Sequence, residues 1–281
     1  MESNHPHEIG EVGWSREDIT ESIEDFYSLY KSCPNSQNEG GMGAPHQFLF
    51  WFLLRHLEPD HIIESGVWKG YGSWFIEKAC PDAQIHCIDP NLERVEYRPD
   101  NSTYYNSDFS EIDWGNLPED ETLLFFDDHQ NAPPRLRQAR RWGFRYIVFE
   151  DNYPPGQGDC YSLKNALEGG FPETRDLKTT LGHVLTASSI RNLFQKFRKL
   201  FEQRTKFSAD FVRNELSVYK ELPPVFAPDT TRWGEPWDRY ASPEPLLREP
   251  TRDCHLPFQR DIRRYTWMCY AEIDYSTDTS S

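Results

Sequence analysis

Five short apolar runs, each closing on or beside an acidic residue, set the tightest limit on how this chain can fold. They are His61–Ser65, Gln84–Asp89, Ser102–Asp108, Thr122–Asp128 and Arg145–Asp151. The stretches between them, such as Ser73–Cys80 and Pro134–Trp142, have the length and pattern of helices. Pro133-Pro134 suit a helix start, and Gly143 suits the cap that follows Trp142. Apolar strands alternating with helices specify a mostly parallel sheet covered on both faces. The expected class is therefore α/β, doubly wound.

The flanks differ in texture. Ile19, Ile23, Phe26, Tyr27 and Tyr30 fall on one face of a helix over residues 16–32. A glycine-rich loop over residues 38–43 and a largely apolar helix, Pro45 to Leu57, follow. Residues 1–60 thus read as an N-terminal helical cap and 61–165 as the core. Residues 166–281 hold C-terminal helices, with 187–218 read as helical, a lid-like loop and a last strand over Tyr265–Ile273. All of this is one domain over 1–281.

Composition excludes several functions. A net charge of −16 offers no basic face for phosphates, so nucleic acid is not an expected partner. The one basic stretch, Arg191 to Lys206, reads as a solvated helix face over an apolar stripe. No run approaches the roughly 20 apolar residues of a membrane span. The first residues are polar, without the apolar run expected of a secretory signal, and six scattered cysteines without C-x-x-C read as reduced thiols. A cytoplasmic protein is the expectation.

In an open parallel sheet, ligands bind beyond the carboxyl ends of the strands. After the first run comes Glu64-Ser65-Gly66-Val67-Trp68-Lys69-Gly70-Tyr71-Gly72-Ser73. Its G-x-x-x-G-x-G spacing is neither the dinucleotide fingerprint nor a P-loop. A wider turn suits a cofactor without a pyrophosphate, with backbone approaching the ligand at the glycines. Asp89, closing the second run, is placed to accept both hydroxyls of a ribose. Asp108, closing the third, can accept from an adenine amino group.

The fourth and fifth runs end in Asp127-Asp128-His129 and Glu150-Asp151-Asn152. On adjacent strands about 4.8 Å apart, these clusters face one another. Carboxylates so crowded repel unless a proton or cation lies between them. Their oxygens are hard ligands of the kind Mg²⁺ prefers.

The run from Ile62 to Asp89 resembles motif I of class I S-adenosylmethionine-dependent methyltransferases. It is most similar to small-molecule O-methyltransferases of the catechol and caffeoyl-CoA type. Glu64, Gly66, Gly70 and Tyr71 match that pattern, and Gly72-Ser73 stand where the family has a serine. The resemblance implies a Rossmann-like, seven-stranded sheet. It also implies S-adenosylmethionine held by Met42, Glu64, Gly66, Trp68, Gly70, Tyr71, Ser73, Asp89, Asp108 and Asp127, with Mg²⁺ or another divalent cation on Asp127, Asp151 and Asn152. The family's lysine base is replaced by Gln130, leaving His129, with Asp128 beside it, as the catalytic candidate. The sequence also resembles cephalosporin-hydroxylase-like and macrolide-sugar O-methyltransferases. That alignment keeps Asp127 and makes Glu150 and Asp151 the ligands after the fifth run, with Asn152 a neighbour.

The expected activity is methyl transfer to a hydroxyl of a small molecule or sugar, assisted by a divalent metal. A metal-free transfer using Asp128 and His129, and a non-catalytic interaction protein on the same fold, stand as alternatives. Lys164 and the aromatics of the loop after Asn152 are candidate substrate contacts. The loop Thr230–Pro250, with Trp233 and Trp237, has the make-up of a lid or a homodimer contact.

Overall fold

Alternating burial within each strand builds the sheet. In Thr122–Phe126 (β4), Leu123 and Phe125 enter one hydrophobic core while Leu124 and Phe126 enter another. Ile62 and Ile63 of His61–Ser65 (β1) divide the same way, as do Val148 and Ile147 of Tyr146–Phe149 (β5). Successive strand side chains point to opposite faces, so strands apolar on both must be covered on both. The structure, a computed structural model, describes residues 7–34, 39–170 and 207–276. The basic stretch Arg191–Lys206, most of the helical reading over 187–218, and the extreme N-terminal residues lie outside the described residues.

Gln84–Ile88 (β2), Ser102–Tyr105 (β3), Leu216–Glu221 (β6) and Cys269–Ile273 (β7) complete seven strands in the order β3-β2-β1-β4-β5-β7-β6. All neighbours are parallel except β7, which runs antiparallel to both β5 and β6. A reversed seventh strand between the fifth and sixth gives the Rossmann-like fold of class I methyltransferases. The order reverses between β1 and β4, which opens a crevice at their carboxyl ends. The candidate residues lie there.

Helices Arg16–Glu21 (α1), Ile23–Tyr30 (α2), Ala44–Leu57 (α3) and Tyr71–Ala79 (α4) cover one face. Ala132–Arg141 (α5), Leu163–Leu167 (α6) and Ala209–Glu215 (α7) cover the other. Leu256–Arg260 (α8) packs Phe258 against Phe26 and Phe48. Every residue of α3 from Ala44 to Leu54 is buried, because that helix lies between the sheet and the outer helices. Phe50 stacks on Phe125 with centroids 3.8 Å apart.

Three elements differ from the sequence reading. The helix expected over 16–32 is two helices broken at Ser22, whose hydroxyl donates back to the Ile19 carbonyl. The last strand begins at Cys269 rather than Tyr265, because Trp267 takes a left-handed φ of 58° that no strand continues. The first residues of β6, 216–218, fell in the stretch read as helix. The helical spacing is real through Glu215, but the chain then passes straight into a strand that pairs with β7 and bridges to Ile9. Helix and edge strand share one continuous run with no breaker between them.

Candidate functional site

The loop after β1 is shaped by close approaches within the protein. A Cβ on Gly66 (φ +99°) would lie 2.0 Å from the Asp127 carbonyl oxygen, and one on Gly70 (φ +89°) 2.2 Å from that of Tyr97. One on Gly72 would lie 2.1 Å from Glu64 Oε1. The glycine spacing was expected to serve a ligand's approach; the chain's own packing already demands it. Gly66 N–H donates to the Ile88 carbonyl at 2.9 Å, and Asp127 N–H to that of Ser65 at 2.8 Å, tying the loop to β2 and β4.

Glu64 is fully buried beneath the first turn of α4, where Ser73 Oγ donates to its carboxylate. Burial pushes Glu64 up to about 8. Buried Met42 approaches the same place, its Cε 3.4 Å from the Cβ position of Gly72. Tyr71 donates its hydroxyl to Glu96 at 3.3 Å. Trp68 N–H donates to Asp89 Oδ2 at 2.9 Å and Asn91 N–H to Oδ1 at 2.8 Å. Each Asp89 oxygen therefore keeps one lone pair for a ribose hydroxyl.

Asp108 and Asp128 are brought together by Arg135 of α5, which is 4% exposed. Its guanidinium forks onto Asp108 at 3.0 and 2.6 Å and onto Asp128 at 3.1 and 2.7 Å. The Arg135 hydrogen bonds hold Asp108 well below the usual carboxylate range. Ser65 Oγ adds a bond to Asp128 at 2.7 Å. The pairing expected between Asp128 and His129 is therefore replaced, since Asp128 is bound to Arg135 and Ser65.

His129 pairs with Asp151 instead, its Nδ1 2.7 Å from Asp151 Oδ2. Donor atoms of Asp127, His129 and Asp151 all lie within 4.8 Å of one another, and those of Asp151, Asp159 and Cys160 do likewise. Tyr153 donates its hydroxyl to the other Asp151 oxygen. Burial, and then the charge of Glu150, push Asp151 up to about 7; the same two causes raise Asp127. Hydrogen bonding to Asp151 and Asp159 pushes His129 up to about 12, so its imidazolium is the counter-ion of the cluster. The ring is 53% exposed and stands at the mouth of the crevice.

The cluster fits a divalent cation by its donor set. Donor atoms of Asp127, Asp151 and His129 lie within 4.8 Å of one another, the charge of Glu150 acts on both aspartates, and an exposed imidazole balances them. Hard oxygens in this number suit Mg²⁺ or Mn²⁺.

Two neighbours are placed elsewhere. Asn152, a ligand in one of the two alignments, donates from Nδ2 to Tyr219 at 2.9 Å and accepts at Oδ1 from Lys164 N–H at 2.9 Å. Both ends of its amide are occupied away from the cluster. Lys164, expected beside substrate, is fully buried with Nζ 2.8 Å from both oxygens of Glu221. Trp233 meets the Tyr153 ring edge-on at 5.0 Å, and Trp237 stacks on Trp267 at 5.0 Å. The loop carrying them is thus packed onto the segment beside the acids.

A residue absent from the sequence reading completes the geometry. His46 of α3 is fully buried, with Nδ1 against Glu150 Oε1 and Nε2 accepting from Thr266 N–H at 2.9 Å. Its one signal was a polar residue opening an otherwise apolar helix.

No protein-family model and no curated protein matches this chain. Among solved structures, the apo form of CmcI is 21% identical over 42% of this chain and 57% of its own, with a TM-score of 0.35. The O-methyltransferase TomG from Streptomyces achromogenes, involved in tomaymycin synthesis and bound to SAM, is 15% identical over 51% of this chain and 67% of its own (TM-score 0.34). The plantazolicin methyltransferase BpumL, in complex with a pentazolic desmethylPZN analogue and SAH, is 13% identical over 92% and 95% (TM-score 0.37). The match covers less than two thirds of CmcI. At these scores the fold rests on the strand order alone.

Proposed function

We propose that this chain is an S-adenosylmethionine-dependent O-methyltransferase that acts on a hydroxyl of a small molecule with the help of a divalent cation. The observation that carries this reading is the meeting of Asp127, Asp151 and His129, with Glu150 beside them, where β4 and β5 end, across the crevice from the β1 loop. Asp127, Glu150 and Asp151 would hold the cation, which polarises a substrate oxygen and lowers the pKa of its hydroxyl. The cofactor supplies an electrophilic methyl group. Asp89 would offer two lone pairs to its ribose, and the buried wall of Glu64 and Met42 would hold its methionine end.

The protein's own contribution is positioning. Transfer needs oxygen, methyl carbon and sulfur in line, and holding them so replaces a costly encounter. Tyr153 locks Asp151, and the loop with Trp233 packs behind Tyr153, so the acids stand on a braced wall. His129, half exposed at the mouth and held as an imidazolium by Asp151, would balance negative charge beside the reacting hydroxyl.

Calorimetry with S-adenosylhomocysteine and a methyl-transfer assay over a panel of catechols and vicinal sugar diols test this. Activity is expected to vanish with EDTA and return with Mg²⁺. Asp151→Asn should lower turnover by about a hundredfold with cofactor affinity unchanged. An active preparation indifferent to EDTA would select transfer without metal. Absence of S-adenosylhomocysteine binding would instead favour a non-catalytic role.

A further inference from the structure

Glu150, a strand-end acid of the cluster, is bound by a helix from outside the sheet. His46 comes from α3, and Thr266 from the segment leading into β7; both reach Glu150 in a region without solvent access. The Thr266 backbone N–H points at His46 Nε2 from 2.9 Å. A backbone N–H can only donate, so Nε2 must be the acceptor and the ring's single proton must sit on Nδ1. That proton then points at Glu150 Oε1. Thr266 Oγ1 also donates to the Glu150 carbonyl at 3.3 Å, so side chain and backbone of Glu150 are fixed by one bracket. The Tyr265 ring packs edge-on against His46 at 5.5 Å.

We infer that His46 is a positioning residue for the cation site, acting through Glu150. Its Nδ1–H occupies Oε1, Thr266 Oγ1 lies 3.5 Å from Oε2, and the carboxylate so held stands beside Asp151. A neutral donor suits this task, since it orients the carboxylate and leaves its charge for the cation. Outer partners that orient a ligand in this way typically govern metal affinity by about 10- to 100-fold. The inference rests on the metal reading proposed above.

Mn²⁺ serves as the probe, titrated into the full chain with free Mn²⁺ followed by electron paramagnetic resonance. His46→Leu should weaken Mn²⁺ binding by about 10- to 100-fold, with S-adenosylhomocysteine affinity within about twofold of the wild type. His46→Asn carries an amide N–H close to the Nδ1 position and should recover most of the lost affinity. His46→Gln carries its amide near Nε2, serves Thr266 only, and should not. The Asn-against-Gln contrast keeps the test decisive even if the Leu variant fails to fold. Equal Mn²⁺ affinity in the Asn and Gln variants, or undiminished affinity in a folded Leu variant, overturns the role of His46. A wild type that binds S-adenosylhomocysteine but no Mn²⁺ sinks the metal reading itself, and this inference with it.

Discussion

The two halves of the crevice treat their acids in opposite ways. On the β1–β2 side, Asp89 takes two backbone N–H groups, Glu64 takes the Ser73 hydroxyl, and the three glycines are accounted for by contacts inside the protein. On the β4–β5 side, Asp127, Glu150 and Asp151 crowd one another, with the half-exposed His129 as their counter-charge. Carboxylates so crowded repel, so the group asks for a proton or a cation. The glycine loop resembles a family most closely, yet its residues are those the fold would need anyway. The less distinctive strand-end acids carry the chemical argument.

Gly66→Ala probes the satisfied half and has the largest expected effect. The new methyl group meets the Asp127 carbonyl at 2.0 Å, and the left-handed φ penalises any side chain. Together these should destabilise the protein by roughly 3–5 kcal/mol in urea unfolding. A loss below about 1 kcal/mol would mean the loop can move away, and the glycine would then need a ligand-based explanation after all.

Glu64 gives a smaller, pH-dependent effect on the same side. Its folded-state pKa is raised to about 8 from 4.5, so the folded chain holds a proton that the unfolded chain releases between those values. That contribution to stability is full below pH 4.5 and is lost as pH rises through about 8. Glu64→Gln keeps the shape of the protonated acid and removes the titration. The variant should match wild type near pH 5 and exceed it at pH 9 by on the order of 2–4 kcal/mol. Parallel pH profiles for the two proteins would show that Glu64 is ionised in the fold.

How much of this was legible in the sequence depends on the range of the contact. The parallel strands announced themselves, because Leu123 to Phe126 must be buried whatever follows them. Asp127, Asp151 and His129 were visible as acids and imidazole at strand ends, where topology alone brings them together. Arg135 was not, since its claim on Asp128 is a contact from a helix whose rotation the sequence leaves open. His46 lies 104 residues from Glu150 and sits in an apolar helix, where nothing local marks it as a donor. The choice between Glu150 and Asn152 was likewise undecided, because both follow β5 and only side-chain direction separates them.

Asn152→Ala addresses that choice with the smallest expected effect. The substitution removes two buried hydrogen bonds and leaves the Tyr219 hydroxyl and Lys164 N–H short of partners. About 1–2 kcal/mol of stability should be lost, because each abandoned group keeps part of its desolvation cost. Lys164 Nζ remains bound to Glu221 and Glu168, so the damage should stay local to the start of α6. Mn²⁺ affinity should stay within about twofold of wild type, whereas Glu150→Gln, which removes a ligand charge, should weaken it by tenfold or more, roughly. The reverse ranking of the two variants would restore Asn152 as the ligand and require its amide to turn away from Tyr219. Glu150 would then belong with Asp89 and Glu64, as an acid whose bonds are already met by the fold.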